Sequence, residues 1–136
     1  MEIDGQCHCG NIRYRATLDP DRVVVCHCSD CQSLSGSAFR TVAFTEPDAF
    51  EVLKGTIKVY VKTTAASGNP RAQGFCGDCG SAIYATAVDK GPKVYGLRVG
   101  TISQREEIVP KKQVWHRSAL PWLDQLNALP VAERQA

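Results

Sequence analysis

Seven cysteines in 136 residues fall into three short knots, and that spacing constrains the chain more than any other feature. Cys7 and Cys9 form C-x-C; Cys26, Cys28 and Cys31 form C-x-C-x-x-C; Cys76 and Cys79 form C-x-x-C. An odd count cannot pair fully. A disulfide scaffold favours an even count and an export signal, and the N-terminal stretch MEIDGQCHCG has no basic segment leading into an apolar core. Thiolates at these spacings reach one ion together, because a tight turn points both sulfurs inward. In a reducing cytoplasm, the compartment expected for this chain, such a pattern reads as zinc. Inert core cysteines would scatter rather than cluster three times. A redox C-x-x-C would want a βαβ context, which is not found.

A structural zinc site takes four protein ligands, and a reactive one leaves a position open. Seven thiols therefore suggest one closed and one open site, two zinc ions per chain. One partition joins Cys28 and Cys31 to Cys76 and Cys79, as in a zinc ribbon, and strands the others. A second joins Cys7 and Cys9 to Cys76 and Cys79 and leaves Cys26, Cys28 and Cys31 as a trio. The second closes a site within six residues at little loop entropy and staples an early segment to a late one. His8 and His27, each flanked by two cysteines, read as neighbours of the sites rather than ligands.

Composition excludes several classes. The net charge of +2 does not fit a strongly basic nucleic-acid module, and Lys111-Lys112 is too short a run to imply one. No apolar run approaches the ~20 residues of a membrane span. Apolar residues make up 43% and charged ones 22%, which fits a folded chain.

The hydrophobic pattern reads mostly as short strands. Ile12, Tyr14, Ala16 and Leu18 alternate with polar residues up to Asp19-Pro20-Asp21. Val23 to Val25, Phe39 to Phe44, Phe50 to Leu53, Ile57 to Lys62, Ala82 to Ala87 and Val94 to Val99 are further strands, and Gln113 to His116 is a short extended piece. Lys54-Gly55 is a hairpin turn and residues 65–74 are a loop. Ser29-Asp30 caps a helical turn through Leu34 that Gly36 stops. Leu120, Leu123, Leu126 and Leu129 predict a C-terminal helix over 120–129 packed on the sheet, and residues 131–136 are expected to fray. The expected architecture is one mainly β domain over 1–136, with metal supplementing a modest core.

The knots and their flanks resemble the glutathione-dependent formaldehyde-activating enzyme family, which includes centromere protein V. The matching text is Gly5-Gln6-Cys7-His8-Cys9-Gly10 with Ile12-Arg13-Tyr14, then Cys26-His27-Cys28-Ser29-Asp30-Cys31 and Ser35-Gly36-Ser37-Ala38-Phe39, then Phe75-Cys76-Gly77-Asp78-Cys79-Gly80, and more weakly Trp115-His116 and Pro121-Trp122. It spans roughly residues 5–123. The resemblance implies a tent of antiparallel β-sheets with zinc at its joints. It implies that Cys7, Cys9, Cys76 and Cys79 hold a structural zinc, and that Cys26, Cys28 and Cys31 match the reactive zinc. It also implies a carbon–sulfur lyase or synthase that joins glutathione to formaldehyde as S-(hydroxymethyl)glutathione.

Zinc with three thiolates carries one net negative charge, which dulls it for activating water. The H-x-E signature of deaminases is absent. A fourth, soft ligand suits such a site: a small thiol such as glutathione, whose pKa the metal lowers before it adds to an aldehyde. The readings of other classes are a non-catalytic zinc-stabilised module and a thiol redox or metal sensor. Arg13, Arg40 and Arg98 either meet glutathione carboxylates or lie on solvated sheet faces. Trp115 and Trp122 read as core, His116 as surface or core, and Asp30 as a turn cap.

Overall fold

The computed structural model describes residues 1–135; Ala136, the end of the expected frayed tail, lies outside them. Eight strands and one short α-helix follow in the order β1 (Glu2–Gln6), β2 (Arg13–Cys26), α1 (Ser29–Ser35), β3 (Arg40–Lys54), β4 (Ile57–Lys62), β5 (Arg71–Cys76), β6 (Ala82–Ala87), β7 (Gly96–Arg98) and β8 (Lys112–Val114). The sheet runs β1-β2-β3-β7-β6-β5-β4, all antiparallel, and β8 adds to β2 in parallel. The expected mainly antiparallel β class is what the chain adopts. None of its helices is long and apolar enough to cross a membrane among the described residues.

The alternation in the first long strand orients it. Ile12, Tyr14, Ala16 and Leu18 are all buried, as their spacing predicts. Ile3 sits opposite Ala16 on β1, and Ala43 is opposite both Val23 and Leu97. With Ile83 and Ile102 these residues form the apolar core. The Tyr14 hydroxyl lies 2.7 Å from Thr101 Oγ1, and burial pushes the phenol up to about 12. Phe50 stacks on Tyr95 at 4.6 Å and meets Tyr14 and Tyr84 at 5.3 and 5.4 Å.

Several expected boundaries move. Asp19-Pro20-Asp21 does not end a strand: β2 continues through it, and the register shifts between Leu18↔Thr45 and Val23↔Ala43. Proline has no N–H for the ladder, so the pairing bulges there instead of breaking. The expected strands at 39–44 and 50–53 are one strand, β3, bent at Asp48, which has φ 55° and bonds Lys93 through both backbone and carboxylate. Residues 71–74, expected in a loop, belong to β5, whose polar side chains conceal it. β1 was not expected, since Glu2–Gln6 has one large apolar residue. β7 is shorter than 94–99, because Val99–Thr101 turns into a 3₁₀ segment.

The C-terminal helix exists as 3₁₀ turns over Leu123–Ala128. Leucines every third residue fit the three-residue period of that helix. Leu126 and Leu129 remain exposed, so this segment does not pack on the sheet as expected. Leu97→Ala should therefore cost about 3 kcal/mol in urea unfolding, while Leu126→Ala should change stability by less than about 0.5 kcal/mol.

Candidate metal centres

Two turns of the same construction bring four of the sulfurs together. After β1, Gly10 N–H donates to the Cys7 carbonyl at 3.1 Å, with Gly10 at φ 79°. After β5, Gly80 N–H donates to the Cys76 carbonyl at 2.9 Å, with Gly80 at φ 80°. The left-handed glycine lets the backbone fold back under each knot so that the sulfurs face inward. The turns also bond each other: Asn11 Nδ2 donates to Asp78 Oδ2 at 3.0 Å, and His8 N–H donates to Ser81 Oγ at 3.0 Å. The ligand atoms of Cys7, Cys9, Cys76 and Cys79 all lie within 4.8 Å of one another.

The sulfur separations test whether a metal fits. Cys7 and Cys9 sulfurs are 3.6 Å apart, and Cys9 and Cys76 sulfurs 3.8 Å apart. A tetrahedron with metal–sulfur bonds of ~2.3 Å has edges of about 3.8 Å. A disulfide needs ~2.05 Å, and all seven cysteines are free. The cluster therefore has the dimensions of a tetrathiolate metal site.

Cys26, Cys28 and Cys31 form the second cluster, also within 4.8 Å of one another. Cys26 ends β2, and Cys28 is the N-cap of α1, its sulfur accepting from Cys31 N–H at 3.3 Å. The cap is thus a cysteine rather than Ser29 or Asp30. Gly36 ends the helix in the left-handed conformation, as expected. Gln32 braces the knot by donating to the carbonyls of His27 at 2.8 Å and Ser118 at 3.0 Å. His27 is buried, and its Nε2 donates to Gln113 Oε1 at 2.7 Å. His8 is exposed, and neither histidine belongs to a sulfur cluster.

The thiols are electrically uneven without a metal. The hydrogen bond with Cys31 pulls Cys26 down to about 5, and the same contact together with burial pushes Cys31 up. Hydrogen bonds with Ser81 pull Cys79 down to about 5. Each cluster thus keeps a thiolate at neutral pH, the form a metal requires.

With this geometry in place, the chain can be set beside known proteins. Residues 2–118 match the family model described as glutathione-dependent formaldehyde-activating enzyme. The chain belongs to this family. Pro121-Trp122, the weakest part of the resemblance, lies beyond the matched residues. An uncharacterised lyase of Schizosaccharomyces pombe is 25% identical over 113 residues, which are 83% of this chain and 77% of that protein. A putative glutathione-dependent formaldehyde-activating enzyme of Halomonas elongata is 26% identical over 87 residues, covering 62% of this chain and 55% of its own length. A crystal structure of a Rhodobacter sphaeroides protein superposes with a TM-score of 0.61 at 19% identity, over 82% of this chain and 99% of that one, a likeness of fold. For a member of the glutathione-dependent formaldehyde-activating enzyme family, two cysteine clusters of metal-binding dimensions are consistent with zinc.

The family's cysteine text also frames a cavity of about 360 Å³ beside Cys28, bounded by Asp30, Lys62, Trp115 and Arg117. Asp30 does not cap the turn. It accepts from Thr64 Oγ1 at 2.7 Å and pairs with Lys62 at 3.1 Å, and these two partners hold its carboxyl below the ordinary carboxylate range. Trp115 and Trp122 are exposed rather than core, and Trp115, at φ 55°, stands beneath the Arg117 guanidinium at 5.1 Å. His116 is exposed, with its ring 5.5 Å from that of His27. Lys62, Thr64 and Arg117 were not singled out from the sequence, because nothing local distinguishes them from solvated residues.

The three arginines separate. Arg13 is exposed, whereas Arg40 and Arg98 are buried beside the trio. Arg98 Nη2 and Arg40 Nη1 both donate to Gln73 Oε1, at 2.8 and 3.4 Å. Burial first, and the Arg40 guanidinium second, lower Arg98 to about 9, so it stays charged at neutral pH. Gln73 was hidden within the expected loop.

A metal is held only by deprotonated thiols, so every ligand cysteine loses its proton on binding and regains it on release. Metal should therefore stay bound at neutral pH and be released as the medium is acidified. A chromophoric metal indicator reads this release directly.

Proposed function

We propose that the chain is a zinc-dependent carbon–sulfur lyase or synthase acting on a small thiol adduct, of the S-(hydroxymethyl)glutathione synthase type. The observation that carries this reading is the three-sulfur cluster, separate from the four-sulfur one and open at Cys28 to a cavity. On this reading Cys7, Cys9, Cys76 and Cys79 hold a structural zinc, and Cys26, Cys28 and Cys31 hold a reactive one. Zinc in a three-thiolate site leaves one position for an incoming thiol and lowers its pKa.

The residues of the chain do the rest. Cys28 and Cys31 are held by the start of α1, and Cys26 by the end of β2, so the site is built on regular structure rather than on a loop. Arg117 places positive charge on the cavity wall, which suits a carboxylate of a peptide-like thiol, while Lys62 is paired with Asp30. Asp30 stays ionised and occupied by Thr64 and Lys62, so it anchors the wall and is not a free base. In the forward direction the thiol sulfur bonds to the carbonyl carbon and the thiol proton ends on the carbonyl oxygen. The reverse breaks that carbon–sulfur bond and releases the aldehyde. The names of the two relatives, a lyase and a formaldehyde-activating enzyme, support this class of reaction.

Cys28→Ser should halve the zinc content, keep the folded spectrum, and lower glutathione-dependent consumption of formaldehyde by more than about 100-fold. Cys76→Ser should unfold much of the chain, because structural zinc contributes folding energy. X-ray absorption with and without glutathione should show one more sulfur at one zinc when the thiol is present. Four protein ligands at both zincs in both states overturn the proposal.

A further inference from the structure

We infer that Arg40 and Arg98 are the charge partners of the three-sulfur centre, and that the pair selects an anionic fourth ligand, a thiolate, over a neutral one. The inference rests on the reading of that centre as an open zinc site.

Strand register places the arginines. Cys26 is directly opposite Arg40 on the neighbouring strand, and Val42 is opposite Arg98. Residues two apart on a strand share a face, so Arg98 lies one diagonal step from Arg40, on the face that Cys26 occupies. The apolar core residues Val23, Ala43 and Leu97 lie on the other face. Gln73 then ties the two guanidiniums together through one neutral oxygen.

Two like charges in this position need anions. Arg40 is 6% exposed and Arg98 8%, and Arg98 Nε is buried without a hydrogen-bond partner. Among the described residues the ion pairs are Arg15–Glu51 and Lys62–Asp30, and neither involves these arginines. The cavity of about 380 Å³ that reaches both guanidiniums is lined by small and apolar residues such as Gly80, Ala82 and Gly100 and carries no acid. A buried guanidinium without an anion beside it is strongly disfavoured. The groups beside the pair that would carry negative charge as metal ligands are the three cysteines, with Cys26 directly opposite Arg40 on the neighbouring strand.

The charge count then favours one kind of ligand. Zinc with three thiolates would carry a single net negative charge, the two guanidiniums exceed it by one, and Arg71 adds further positive field at Arg98. A thiolate entering the fourth position offsets one of these positive charges. Its proton leaves to solvent, and nothing is oxidised or reduced. Imidazole or another neutral ligand leaves one positive charge uncompensated in a low-dielectric setting.

Cobalt(II)-substituted protein tests this by its visible spectrum, with glutathione, azide as a sulfur-free anion, and imidazole as probes. Wild type should bind both anions about tenfold or more tightly relative to imidazole than does Arg98→Met, and Arg98→Lys should restore part of the difference. Chelator should also strip the three-sulfur site faster in Arg98→Met, with the four-sulfur site in the same chain unchanged. Arg40→Met leaves the Arg98–Gln73 bond at 2.8 Å in place and carries the same expectation should Arg98→Met fail to fold. If wild type responds to the probes and both methionine variants keep its ranking of them, the arginine proposal is overturned and the open site stands. If no probe alters the wild-type spectrum, the open-site reading itself falls, and the selection with it.

Discussion

Sulfur from Cys9 meets sulfur from Cys76 at 3.8 Å across 67 residues of chain, and the shape of the sheet follows from that meeting. In strand order β1 and β5 are separated by β2, β3, β7 and β6, yet the turns that follow them come together. A flat sheet would hold those turns several strand widths apart. The sheet must therefore curl, and the concave side encloses Ile3, Tyr14, Ile83, Leu97 and Ile102. A metal ion bonded to all four sulfurs would exist only in that curled arrangement, so its binding energy would belong to the fold. A chain of this length with a modest core gains from such a staple.

The two faces of the central strands divide the labour. Val23, Ala43 and Leu97 supply apolar burial on one side. Cys26, Arg40 and Arg98 on the other side form a polar interior. Buried guanidiniums contribute little to stability by themselves. Their presence beside three sulfurs makes sense as electrostatics prepared for a charged occupant. α1 packs against β3 and carries Cys31 close to that polar face, so one short helix joins the cysteine knot to the arginines.

Local chemistry was the readable part of this chain. The period-two pattern of Ile12, Tyr14, Ala16 and Leu18 marked a strand and its buried face, because that alternation needs only one apolar side. Three cysteine knots marked metal, and their flanks marked the family. Gly36 marked the end of α1. Other elements were illegible for physical reasons. β5 reads as a loop because its buried positions include Gln73, which meets two arginines, and Gly74, so it lacks the hydrophobic signal by which a buried strand is recognised. β8 showed only as an extended piece at Gln113 to His116, because its parallel pairing to β2 is a contact its three residues cannot announce. Pro20 looked like a stop, but partners on β3 carried the strand through as a bulge.

By itself the amino-acid sequence determined the sulfur knots, the main class of structure and the family, since these depend on residues near one another or on text carried over as a unit. Only the tertiary structure decided that Arg40 and Arg98 lie buried together beside Cys26, that Asp30 is spent on Lys62 and Thr64, and that the tryptophans face solvent. For the arginines the reason is register: pairing between distant strands sets which face a side chain occupies, and a shift of one residue would have turned Arg40 and Arg98 the other way. Asp30 on α1 and the tryptophans after β8 are placed by the distant segments that fold against them, which local spacing does not record.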